Sequence, residues 1–183
     1  MKAAFIGRFQ PFHRGHRKVI EEKKDSYDEF YIVIGSKEKA GTEDNPLSFE
    51  ERKKIIEACY PDIDIVGVKD REKNDEGNRK WLEEVKRKSE AEIIISGNPL
   101  VSELVEDNNE LELDQPDLHD PDVYSGTAIR RRAKSGEEWR YLVPSCAEEI
   151  IGKKIEKIKE SGIKYDFEPG WEKKNAFYDT YEK

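Results

Sequence analysis

The chain has 183 residues, 40% of them charged, with 41 acidic against 33 basic side chains and a formal net charge of −8. That length fits one domain with a substantial core, and the negative balance argues against a general nucleic-acid surface. No apolar run approaches the roughly 18 residues that suggest a membrane-spanning helix, so neither a span nor a signal peptide is expected, and two cysteines without close spacing argue against a disulfide framework and fit a reducing cytoplasm.

The first element is the apolar run Ala3-Ala4-Phe5-Ile6, a buried strand that leads through Gly7-Arg8-Phe9-Gln10-Pro11-Phe12-His13-Arg14-Gly15-His16 into a helix start. Unpaired N–H groups and a partial positive charge make a helix N-terminus a good phosphate site, and Gly15 removes a side chain that would hold phosphate away. His13 and His16, two of only three histidines, are three apart and share a helical face that can turn to a single phosphate. The same pair also fits zinc or ordinary half-buried histidines. Zinc needs further ligands, and Cys59, Cys146 and His119 lie far off with no paired spacing.

Further along, residues 30–34, 63–68 and 93–95 are short, β-branched apolar blocks bounded by charged or turn residues, as buried strands are. Helix-length stretches separate them. Ser48-Phe49-Glu50-Glu51 and Ser145-Cys146-Ala147-Glu148 read as capping boxes, opening helices to about Cys59 and about Lys159. The alternation predicts an α/β fold, a doubly wound, mostly parallel sheet with helices on both faces. Ligands of such sheets bind beyond the carboxyl ends of the strands, so Ser96, Gly97 and Asn98 after a later strand would share an edge with the histidine string.

Residues 106–122 carry eight acidic side chains and no lysine or arginine, and read as a solvated loop interrupted by Leu111 and Leu113. Next, Tyr124-Ser125-Gly126-Thr127 precedes Ala128-Ile129-Arg130-Arg131-Arg132, which makes Ser125 an N-cap and puts the arginines on the following helix. Arginine offers planar paired donors to phosphate, although a basic triplet alone also fits an exposed helix face. Residues 1–164 form the expected domain. The aromatic, charged segment 165–183 is a tail that packs on the domain, mediates assembly or stays mobile.

The His-x-Gly-His string after Gly-Arg-Phe-Gln-Pro-Phe resembles the nucleotidylyltransferase superfamily, and within it the archaeal-type nicotinamide mononucleotide adenylyltransferases. Ser96-Gly97-Asn98-Pro99-Leu100-Val101, Tyr124-Ser125-Gly126-Thr127-Ala128-Ile129-Arg130-Arg131-Arg132 and Trp139-Arg140-Tyr141-Leu142-Val143-Pro144 agree with that family in the same order. The resemblance implies a Rossmann-like fold, although the Gly-x-Gly-x-x-Gly fingerprint is absent. It also implies formation of NAD and pyrophosphate from ATP and nicotinamide mononucleotide, with some use of the deamidated nucleotide.

On that resemblance His13, His16, Arg8 and Arg130 carry catalysis, and Gly7, Phe9, Gln10, Gly15, Ser96, Gly97, Asn98, Tyr124, Ser125, Gly126 and Thr127 hold the nucleotide. Asp70, Asn78 and Trp81 stand at the places that contact the nicotinamide nucleotide. A carboxylate can accept from the carboxamide and an indole can stack on a cationic ring, while Trp81 by its spacing alone also fits a helix core position. Magnesium bridging phosphate and water oxygens is the implied cofactor, with no protein metal ligands. A homo-oligomer such as a hexamer is implied, with no nucleic-acid or membrane partner.

One departure is Thr42-Glu43-Asp44-Asn45-Pro46, where the family carries a basic residue before the proline; Lys37 or Lys39 is left to take its place. The alternatives are adenylyl or cytidylyl transfer to another phosphate acceptor, phosphopantetheine or FMN, and a nucleotide-sensing module without catalysis.

Overall fold

Side chains of the first strand, β1 (Lys2–Gly7), alternate between two apolar layers: Ala3 and Phe5 face one, Ala4 and Ile6 the other. A strand buried on both faces has no use for polar positions, which is why these segments read as continuous apolar runs. The computed structural model describes residues 1–117, 120 and 122–160. The proposed tail at 165–183 and His119 lie outside the described residues.

β1 pairs in parallel with β2 (Glu29–Ile34) on one side and β4 (Ile93–Ile95) on the other; β3 (Asp64–Gly67) and β5 (Glu112–Asp114) add at the two ends. The order is β3-β2-β1-β4-β5, all parallel, so the α/β doubly wound expectation is met. Helices α3 (Asp75–Ser89) and α4 (Pro99–Glu106) cover one face with Leu82, Val85, Val101 and Val105. The other is covered by α1 (Arg14–Lys23), α2 (Phe49–Cys59), α5 (Gly126–Ser135) and α6 (Ser145–Glu160), which contribute Ile20, Ile55, Ile129 and Ile151. Chain direction diverges between β1 and β4, and that switch point opens a crevice at the carboxyl edge.

Three local expectations are corrected. The acidic segment is not loop throughout: Leu111 is buried, Leu113 packs on the core, and β5 runs between charged neighbours that point to solvent or pair, as Asp114 does with Lys23. Acidic density hid a strand only three residues long. Ser48 and Glu51 form the expected capping box, but the last helix begins at Ser145 itself, which moves the preceding cap position to Pro144.

The cysteines are also not free. Cys59 ends α2, Cys146 sits in the first turn of α6, the two helices pack together, and a disulfide joins them across 87 residues of sequence. Spacing along the chain is blind to this, because the pairing is set by which helices cover the same sheet face.

Candidate active site

β1 ends at the switch point and hands the chain to α1 through residues that are mostly buried. His13 is the N-cap of α1 rather than its first turn, and His16 is the third helical residue. The pair caps reciprocally: the His16 N–H donates to His13 Nδ1 at 3.4 Å and the His13 N–H donates to His16 Nδ1 at 3.3 Å. Their rings stack with centroids 3.6 Å apart, beside Phe9 and Phe12.

These contacts fix both tautomers. Each Nδ1 accepts from backbone, so each neutral ring carries its proton on Nε2 as a donor. Burial lowers His13 to about 3, and burial followed by the neighbouring His13 charge pulls His16 well below its usual 6.5. Both are neutral in the ligand-free protein. Packing around Gly15 is tight: a Cβ on it would lie 3.1 Å from His13 Nδ1 and 3.2 Å from Tyr124 Cβ, so the ring or Tyr124 would have to yield by a few tenths of an ångström.

The start of α5 abuts the same loop. Ser125 caps α5, as expected, by accepting from the Ala128 N–H at 3.2 Å. A Cβ on Gly126 would fall 2.6 Å from the Gln10 carbonyl oxygen, so only glycine lets this helix end approach the β1 loop. Arg130 Nη1 donates to that carbonyl at 2.7 Å, which aims the guanidinium along the crevice. Two helix N-termini, each carrying partial positive charge, thus meet around one space.

That space is a cleft of about 710 Å³, and every site residue singled out from the sequence lines it. From β4 come Ser96, whose Oγ accepts from the Asn98 N–H, then Gly97, then Asn98, whose side chain caps α4 by accepting from the Leu100 N–H. On the α3 side stand Asp70, Asn78 and Trp81. Trp81 both lines the cleft and packs against the layer of Leu82 and Val85. Gly7, Arg8, Tyr124 and Thr127 complete the walls.

Not every predicted contact is open to a ligand. The Gln10 carboxamide is taken up by Leu47, donating to its carbonyl at 2.7 Å and accepting from its N–H at 3.0 Å, and Phe9 lies almost wholly in the core. Asp70 accepts from Ser36 Oγ at 2.9 Å and pairs with Lys39. Lys39 is thereby committed to Asp70, and Lys37 lies over the Phe49 ring at 4.5 Å. Neither lysine lines the cleft in this arrangement. Asp44 does line it, with Oδ1 3.5 Å from Arg130 Nη2.

Arg52 went unnoticed in the sequence. It is fully buried, and its guanidinium donates to the carbonyls of Arg8 at 2.9 Å, Gly35 at 2.8 Å and Ser36 at 3.0 Å. Burial lowers it to about 10, which leaves it charged at neutral pH. It ties the loops after β1 and β2 together behind the cleft through charge-assisted bonds. The legible signal was its place in the predicted helix, three and four residues before Ile55 and Ile56 on the inward face.

An all-parallel sheet whose switch point gathers two helix N-termini at one cleft defines an α/β protein of the nucleotide-binding type. A family model described as cytidylyltransferase-like matches residues 4–132. Nicotinamide-nucleotide adenylyltransferase from Methanococcus aeolicus is 36% identical over 82% of this chain and 88% of its own length; that from Halobacterium salinarum is 35% identical over 80% and 83%. Among solved structures, a bifunctional NMN adenylyltransferase/ADP ribose pyrophosphatase from Francisella tularensis superposes with a TM-score of 0.68 at 22% identity, over 87% of this chain and 50% of that one. The chain thus spans about half the length of that solved protein, and the likeness speaks for the fold. The chain belongs to the cytidylyltransferase-like family, among the nicotinamide-nucleotide adenylyltransferases.

Proposed function

We propose that this protein joins ATP to nicotinamide mononucleotide, with NAD and pyrophosphate as products. The observation that carries the reading is the meeting of the α1 and α5 N-termini in one cleft that Asp70, Asn78 and Trp81 also line. Two polyanions must be held together for this reaction, and a cleft with two positive helix ends, Arg8 and Arg130 answers their repulsion.

In the reaction a phosphate oxygen of the mononucleotide forms a bond to the α-phosphorus of ATP, and the bond from that phosphorus to the β-bridging oxygen breaks, the electron pair leaving with pyrophosphate. Catalysis is positioning plus stabilisation of charge on nonbridging and leaving oxygens. His16 and His13 donate Nε2–H groups to those oxygens from a neutral, desolvated pair. A neutral ring in a dry site is a fixed donor, and phosphate bound against it favours its protonated form. Arg130, oriented by Gln10, neutralises charge developing on the pyrophosphate.

Magnesium is part of this proposal. Among the described residues no group of three or more His, Cys, Asp or Glu side chains is placed to hold a metal ion, and magnesium would enter the cleft with ATP. Its chemistry there is charge neutralisation. Assembly as a homo-oligomer, with a hexamer as one form, and a cytoplasmic location belong to the proposal too. Among the described residues no helix is long and apolar enough to cross a membrane. The Cys59–Cys146 disulfide withdraws the support that unpaired cysteines gave to a reducing compartment.

The test is incubation with ATP, magnesium and nicotinamide mononucleotide, with phosphopantetheine and FMN as parallel acceptors. NAD and pyrophosphate in equal amounts are expected. Pyrophosphate formed only with another acceptor overturns the nicotinamide assignment, and none with any acceptor favours a sensor.

A further inference from the structure

An acidic side chain stands on the wall of a cleft otherwise built to hold anions. Asp44 lies between β2 and α2, and its Oδ1 sits 3.5 Å from Arg130 Nη2. The arginine cannot simply turn away, because its Nη1 is fixed on the Gln10 carbonyl at 2.7 Å and its Nη2 also faces Thr127 Oγ1 at 3.3 Å. Nη2 is therefore the edge that meets both Asp44 and the hydroxyl at the α5 start.

Asp44 is held in place on both sides. The Thr42 N–H donates to the Asn45 carbonyl at 3.2 Å and the Asn45 N–H to Thr42 Oγ1 at 3.1 Å, a turn that displays Glu43 and Asp44, and Asn45 is buried. Glu43 pairs at 3.1 Å with Lys134, one helical turn beyond Arg130 on α5. Two successive acidic residues thus latch this segment onto the helix that carries the second phosphate site. The Asp44 side chain is 60% exposed and its contact with Arg130 is long, so the pair is weak and open to exchange.

We propose that Asp44 is an internal competitor for the triphosphate: it occupies Arg130 in the empty cleft, is displaced when ATP binds, and weakens nucleotide affinity by that exchange. The proposal rests on the reading of the cleft as an ATP site. Its effect is to keep the arginine oriented without ligand and to hasten release of polyphosphate, since the carboxylate returns to Nη2 as pyrophosphate leaves.

Calorimetric titration of ATP, with magnesium and with chelator, into wild type, Asp44→Asn, Arg130→Gln and the double variant tests it. Asp44→Asn is expected to bind ATP roughly 2- to 5-fold more tightly in both conditions, and the gain is expected to disappear in the Arg130→Gln background. Unchanged or weaker binding by Asp44→Asn overturns the proposal, as does a gain that persists without Arg130. Weaker binding confined to the magnesium titration also overturns it, by making the carboxylate a contact of the metal instead. Wild type that binds no nucleotide at all refutes the functional reading itself, a different failure from a wild type that binds and a variant that does not tighten. Thermal melting of each variant confirms that the folded protein is being compared.

Discussion

His13 and His16 each use Nδ1 to accept the other's backbone N–H, so the cap of α1 and the presentation of two Nε2 donors are one structure. Local geometry that stabilises a helix start also decides the tautomer of both rings.

Replacing His16 by Ala is therefore expected to lower turnover by about 10²–10³, the scale of losing one transition-state donor. It also removes a cap bond, which costs about 1 kcal/mol of stability. Steady-state kinetics beside thermal melting separate the two effects. Turnover equal to wild type would remove His16 from the mechanism.

The same burial makes a pH prediction. The unfolded histidines take up protons below about 6.5, whereas folded His13 does so only near 3 and His16 well below 6.5. The unfolded state binds more protons in that window, so stability is full above pH 6.5 and falls as pH drops toward 3. Melting temperature of the ligand-free protein should already decline between 6.5 and about 5, before most carboxylates titrate. A His13→Asn/His16→Asn variant should lose that part of the slope. An unchanged slope in the variant assigns the decline to other groups.

Trp81→Ala is expected to weaken the nicotinamide nucleotide roughly 3- to 30-fold, the range of a ring-to-cation contact, with little change for ATP. Because Trp81 also packs against the layer of Leu82 and Val85, the variant should melt lower as well. Equal losses for both substrates would assign Trp81 to packing alone.

Arg52 and the disulfide are expected to act on stability. Arg52→Met leaves the buried carbonyls of Gly35 and Ser36, and the partly buried one of Arg8, without this donor and should cost a few kcal/mol, at about 1–3 for each buried unsatisfied group. Denaturant unfolding measures it, and a change below about 1 kcal/mol contradicts the clamp.

Cys59→Ser/Cys146→Ser should lower stability by about 2–4 kcal/mol while leaving turnover near wild type, because the link lies between α2 and α6, away from the cleft. Thiol titration of the unreduced, denatured wild type should find no free thiol. Two free thiols would refute the pairing.

Much of this was legible in the sequence because strong local signals coincided with the site. Ala3 to Ile6 names a buried strand, and the loop that leaves such a strand at a switch point must line a cleft, so Gly7 to His16 could be placed without any contact map. Ser125 announced its helix by capping chemistry alone. The features that stayed hidden depend on partners distant in sequence. Cys59 meets Cys146, and Asp44 meets Arg130, only because α2, α5 and α6 cover the same sheet face. Gln10 reads as a ligand in its motif, yet its carboxamide goes to Leu47, a pairing that no local pattern reveals. β5 was missed because three residues among acidic neighbours give too short a period to detect.

The most direct measurement tracks the phosphorus atoms in a single turnover of the wild-type protein with magnesium and nicotinamide mononucleotide, using ATP labelled at the α-position in one reaction and at the γ-position in another. Adenylyl transfer predicts all of the consumed α-label in NAD and all of the γ-label in pyrophosphate. Label from the γ-position in the nucleotide product, or α-label released in pyrophosphate, would contradict attack at the α-phosphorus.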